Sequence, residues 1–156
     1  MNDLVARLWR SIGGIGGIGG SVQWRLMWLS QAKFMVGVTG IVRDGDGRVL
    51  LLRHRLWPED RQWGLPGGYA VRGETFRETV VREVREETGL EVRVGELVQL
   101  NSGYRLRVEV AYEAGLAGGT MRIDPKEILE ARWFSPDDLP EGTLRAHRHL
   151  ISGGAG

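Results

Sequence analysis

Apolar and polar residues fall into two regimes along this chain. Residues 1–33 carry no clean period. Three tryptophans (Trp9, Trp24, Trp28) flank the run Gly13–Gly20, in which only Ile15 and Ile18 are not glycine. Each glycine costs a helix roughly 1 kcal/mol against alanine. The run therefore reads as a flexible linker between two short helical pieces, Asp3–Ser11 and Val22–Gln31. From Phe34 the pattern is regular. Phe34–Val42 and Arg48–Arg53 read as strands joined by the hairpin turn Asp44-Gly45-Asp46-Gly47. Leu56–Gln62, with Pro58, is a loop, and a helix follows at Thr75–Thr88. Val92–Leu100 and Tyr104–Glu113 form a second strand pair around Asn101-Ser102-Gly103. Gly115–Pro125 is a loop, Glu130–Phe134 a last strand, and Ser135–Asp138 opens a short helix. Strands outnumber helices and hairpins dominate, so the pattern predicts an α/β (α+β) chain built on a mixed sheet. Three segments are expected: an extension at 1–33, a domain at 34–140 and a tail at 141–156 that frays toward Gly153-Gly154-Ala155-Gly156.

Composition narrows the function. With 156 residues, 42% hydrophobic and 26% charged, the chain is long enough for one domain with a real core. It has no apolar run near the roughly 20 residues that a membrane span needs. The net charge of +1 argues against a general electrostatic grip on nucleic acid. The absence of cysteine removes disulfides, thiolate nucleophiles and zinc–cysteine sites, and permits a reducing compartment, so a cytoplasmic location is expected. Residues 1–33 set four basic side chains (Arg7, Arg10, Arg25, Lys33) against Asp3 alone. This segment is expected to dock or self-associate, which makes a homodimer one expected partner. A disordered extension and a membrane-surface or signal role stay open, although the stretch is poor in leucine and lacks a small-x-small cleavage site.

The chemistry concentrates on one helix. Thr75 and Glu78 form a capping box at its start, and Gly89 is suited to the position just past its end. Phe76, Val80 and Val84 fall on one stripe that faces the core. Glu83, Glu86 and Glu87 stand at i, i+3 and i+4, so their carboxylates converge. They converge beside the buried stripe, whereas the opposite side carries Glu78, Arg82 and Arg85. Three carboxylates at the edge of a core repel one another and lose hydration. Divalent cations relieve both costs, and an oxygen-only ligand set selects magnesium, manganese or calcium. The rival reading is an ordinary solvated helix rich in glutamate and arginine. The preceding segment, Trp63-Gly64-Leu65-Pro66-Gly67-Gly68, brings a rigid glycine turn up to this helix. Glycine lets backbone approach phosphate closely, so the turn would set phosphate beside metal.

Gly68, five residues, Glu74, seven residues, then Arg82-Glu83-Val84-Arg85-Glu86-Glu87-Thr88-Gly89-Leu90: this stretch resembles the Nudix box and matches each of its fixed positions. The Trp63–Gly67 lead-in and the ending Glu130-Ala131-Arg132-Trp133-Phe134…Asp137-Asp138-Leu139-Pro140 are also similar to the family. Val71 departs from it, since many members carry an acid there. The resemblance covers about Met35 to Leu139. It implies an α/β/α sandwich around a mixed β-sheet and a hydrolase that cleaves the pyrophosphate linkage of a nucleoside diphosphate linked to X. It further implies Mg2+ or Mn2+ held by Glu83, Glu86, Glu87 and the Gly68 carbonyl, with Arg82 orienting Glu83. Glu74 becomes a helix-start acid supporting that set. Glu127 becomes the additional acid from a late loop, with Glu130 as rival. Arg53, Arg55, Trp57, Trp63 and Tyr69 are candidates to contact phosphate or stack on the base. The partner expected is a small nucleotide, with a preference for a nucleoside triphosphate. The alternatives are an RNA 5′-end pyrophosphohydrolase using Arg105 and Arg107, an ADP-ribose-type sugar nucleotide pyrophosphatase, and a non-catalytic nucleotide sensor. His54, His147 and His149 are expected to be bystanders.

Overall fold

The computed structural model describes residues 19–31, 33–102 and 106–153. The expected helical piece Asp3–Ser11, most of the glycine run and Arg105 lie outside the described residues. The chain divides into two compact units, Met1–Lys33 and Phe34–Gly156.

The first unit contributes helix α1, Gly19–Ser30. It begins three residues ahead of the expected Val22, at a helix end, where a sequence pattern is least sharp. Trp24, Leu26, Met27, Trp28 and Leu29 are exposed. Lys33 Nζ donates to the carbonyls of Leu29 (3.3 Å) and Gln31 (3.1 Å), a cation on the last turn where the free carbonyls collect.

The second unit is a seven-stranded mixed sheet. Its strands are β1 Met35–Arg43, β2 Val49–His54, β3 Trp63–Gly64, β4 Gly67–Tyr69, β5 Leu90–Ser102, β6 Arg107–Gly119 and β7 Ile128–Phe134. β1 runs parallel to β6 from Met35/Arg107 to Arg43/Gly115. β5 and β6 form an antiparallel hairpin, β2 pairs antiparallel with β3 and β7, and β4 pairs antiparallel with β1. β6 runs past the expected Glu113 to Gly119, because its end pairs with the start of β5 at Leu90.

The side-chain period of two sorts the core onto both faces. Val38, Val42, Leu50, Leu52, Val110 and Ala114 lie on one face, with Val80 and Val84 of helix α2, Phe76–Thr88. Ile41, Val49, Leu51 and Ala111 lie on the other, with Leu150 and Ile151 of helix α3, Arg145–Ile151. The result is the mixed sheet that the pattern predicts, held between helices as the Nudix resemblance implies. Burial of each such aliphatic side chain contributes about 1.5–3 kcal/mol. Two local expectations change. α3 occupies the stretch read as a fraying tail, and its Leu150–Ile151 pair closes the second core. Ser135–Asp138 is a turn rather than the start of a helix, with Asp138 N–H donating to Ser135 O at 3.0 Å. Pro140 disfavours helical backbone at Leu139 and so bars continuation.

Candidate active site

Helix α2 is fixed at both ends by its own sequence. The Thr75 side chain accepts from Glu78 N–H, and the Glu78 carboxylate accepts from Thr75 N–H at 2.7 Å. At the other end Gly89 takes φ 70° and donates to Arg85 O at 2.9 Å. Val80 and Val84 anchor one side to the sheet, while Phe76 sits at the rim. Glu83, Glu86 and Glu87 are thereby held in place on a rigid rod.

Strand β4 brings the glycine turn onto that rod. Gly67 N–H donates to Glu87 Oε2 at 3.1 Å. Gly68 packs so closely on the Glu83 carboxylate that any β-carbon there would collide with it. This gives the glycine a steric reason independent of phosphate binding.

One guanidinium organises the acids. Arg82 donates to Glu74 through Nε (3.1 Å) and Nη2 (3.0 Å), to Glu83 (2.8 Å) and Glu86 (3.1 Å) through Nη1, and to Tyr69 O through Nη2 (3.0 Å). The Arg82 bonds, with Val71 N–H, hold Glu74 down at about 2, and the same contacts keep Arg82 protonated. Burial acts the other way on the two acids nearest the sheet. It raises Glu83, against the pull of Arg82. Glu87 is only 5% exposed. Burial, with the charges of Glu83, Glu127 and Glu86, pushes it up to about 8 despite the Gly67 N–H.

The loop before β7 completes the cleft. Its Glu127 adds negative potential at both Glu83 and Glu87. Asp124, which the sequence did not single out, lines the same space of about 580 Å3, and its N–H donates to Glu87 O at 3.2 Å. Only its nearness to Glu127 in the chain could have flagged it. Glu130, the rival to Glu127, instead stands on β7 beside Arg132 at 3.4 Å.

The donor chemistry suits a hard divalent cation: carboxylate oxygens in excess, one of them buried, with a single guanidinium among them. Among the described residues no three His, Asp or Glu side chains already stand as a ligand cage. Arg82 and Gly67 N–H hold the carboxylates that would turn to an ion.

The remaining expected residues separate. Tyr69 lines the acid cleft and a second groove of about 640 Å3 that shares Gly67, Gly68, Glu87 and Glu127 with it. Arg53 Nε donates to Gln62 Oε1 at 2.9 Å, and Arg55 Nε to Pro125 O at 3.1 Å. Trp63 packs edge-to-face on Phe134, 5.2 Å between centroids, in the second core. Trp57 stacks on His54 at 3.8 Å, and both line the second groove with His147. Burial depresses both histidines to about 4, and Leu65 N–H donates to His147 Nδ1 at 2.9 Å.

Comparison with known proteins now decides the family. The family model described as NUDIX domain matches residues 33–152. The chain belongs to the Nudix family. It is 36% identical over 124 residues to the MutT-like protein of Streptomyces ambofaciens, covering 74% of this chain and 78% of that protein. It is 40% identical over 74 residues to the NAD-capped RNA hydrolase NudC of Enterobacter sp. (strain 638), covering 47% of this chain but only 29% of that protein. The MutT NUDIX hydrolase of Burkholderia pseudomallei superposes with a TM-score of 0.67 at 29% identity, covering 78% of this chain and 98% of that one. The Nudix match runs through α3. Among the described residues no helix is long and apolar enough to cross a membrane.

Proposed function

We propose that this Nudix hydrolase cleaves the pyrophosphate linkage of a nucleoside diphosphate linked to X, with a nucleoside triphosphate or similar small nucleotide as substrate. The observation that carries this reading is the buried Glu87 carboxylate, set against Glu83 and Glu127 at the glycine turn. Glu83, Glu86, Glu87 and the Gly68 carbonyl would hold Mg2+ or Mn2+, with Glu127 assisting. Such an ion, when bound, would supply positive charge to the diphosphate and lower the pKa of water. Arg82 aims Glu83 and Glu86, and Glu74 holds Arg82 from behind. The glycine turn lets phosphate approach the backbone. A glutamate of the cluster accepts the proton of the attacking water, which adds in line to one phosphorus as the bridging P–O bond breaks and the other phosphate leaves with the bridging oxygen. Tyr69 would contact the nucleotide, and its position lining both the acid cleft and the second groove supports a base lying on the sheet.

Steady-state hydrolysis of a nucleotide panel with Mg2+ tests the reading, with phosphate and pyrophosphate release as the readout. The similarity to NudC favours a second reading, hydrolysis at a capped RNA 5′ end. Turnover of free nucleotides against NAD-capped RNA separates the two.

A further inference from the structure

Strand alternation places Gly37, Thr39 and Gly67 on the sheet face opposite α2, beyond the part where Leu150 and Ile151 of α3 close the second core. They form a groove floor without a large side chain. Arg107 and Glu109, one strand over on β6, stand level with Met35 and Gly37 of β1. Arg107 lies over the Tyr69 ring at 5.6 Å, and its Nη2 reaches Glu109 Oε1 at 2.8 Å. Glu109 Oε2 stands over Gly37, 2.7 Å from where a β-carbon would be. The groove therefore presents a paired donor and acceptor at its edge over Gly37, beside the small residues Thr39 and Gly67, against which a planar ring can lie.

That order matches one base edge. Guanine offers the O6 acceptor, then the N1–H and N2–H donors. Adenine reverses the first two groups, and the O2 of uracil or cytosine would face the carboxylate. Resting on the nucleotide-hydrolase reading above, we propose that Arg107 and Glu109 make this enzyme selective for guanine nucleotides. Arg107 donates to O6, and Glu109 accepts from N1–H and N2–H. A site built to accept an N–H discriminates against a base lacking it, because the acceptor is then left unpaired.

The test compares kcat/KM of the full chain with Mg2+ for GTP, ITP, ATP and UTP. ITP is the informative member, since it differs from GTP only by the 2-amino group. GTP is expected to exceed ITP by at least about tenfold, and ATP and UTP by more. Glu109→Gln, at a half-buried strand position, is expected to shrink the GTP/ITP ratio to about threefold or less without lowering Tm. Gly37→Ala, whose methyl group would strike Glu109 Oε2, provides a second variant with the same expected loss. Equal wild-type rates for GTP and ITP, a preference for another base, or selectivity that survives both variants would overturn the assignment. Failure to hydrolyse any nucleotide would overturn the underlying activity as well, which distinguishes the two failures.

Discussion

Glu87 Oε2 accepts a hydrogen bond from Gly67 N–H at 3.1 Å, while its own carbonyl accepts from Asp124 N–H at 3.2 Å. One residue thus ties together the helix, the glycine turn and the loop before β7. It does so with a nearly buried carboxylate whose pKa burial drives up to about 8. The raised value means that the ionised form is disfavoured in the fold. The associated stability is present below the ordinary carboxylate range and is lost as pH rises through about 8.

Glu87→Gln therefore separates stability from function. The amide oxygen still accepts from Gly67 N–H, but the buried charge is gone. In metal-free buffer near pH 9 the variant is expected to melt at least about 2–4 °C above wild type, the equivalent of 1 kcal/mol for a chain of this size. Its turnover is expected to fall by at least about two orders of magnitude. Calorimetry with chelator and steady-state kinetics check both halves.

The acids are ranked by their place in the cleft. Glu83→Gln and Glu86→Gln are each expected to lower kcat by about a hundredfold or more, with the fold retained, and Glu127→Gln by less. Gly68→Ala belongs with them, because its methyl group displaces the Glu83 carboxylate. Kinetics with circular dichroism as control reads the series. Wild-type turnover in Glu86→Gln would remove that residue from the metal set.

Local signals made much of this legible. The capping box, the Val80–Val84 stripe and Gly89 delimit α2 in sequence and in structure, because each acts within one or two turns of chain. The cluster Glu83, Glu86 and Glu87 follows from helical spacing. What local pattern missed depends on distant partners. β6 is lengthened by pairing with β5. α3 is held by Leu150 and Ile151 against the far side of the sheet. Asp124 joins the cleft only because its loop folds back onto Glu87. The collision at Gly68 and the Arg107–Glu109 edge over Gly37 likewise exist only once separate strands are aligned.

His54 and His147 predict an acid limit to stability. Burial holds both near 4 in the fold, whereas the ordinary value is 6.5. Above 6.5 the folded and unfolded chains carry the same neutral rings, and their full contribution is present. As pH falls from 6.5 toward 4 the unfolded chain binds protons that the fold refuses, and stability is lost. The expected loss by pH 5 is about 2 kcal/mol for each ring. Glu87 pulls the other way over this window, so denaturant melts of Glu87→Gln at pH 7 and pH 5 measure the loss, and adding His54→Gln is expected to flatten the dependence.

The central claim is that carboxylates of α2 work through a bound divalent cation. The direct measurement is nucleotide hydrolysis by the full chain in excess chelator, followed by readdition of Mg2+ or Mn2+. Chelation is expected to abolish turnover while the protein stays folded, and either metal to restore it. Undiminished hydrolysis in excess chelator would contradict the account.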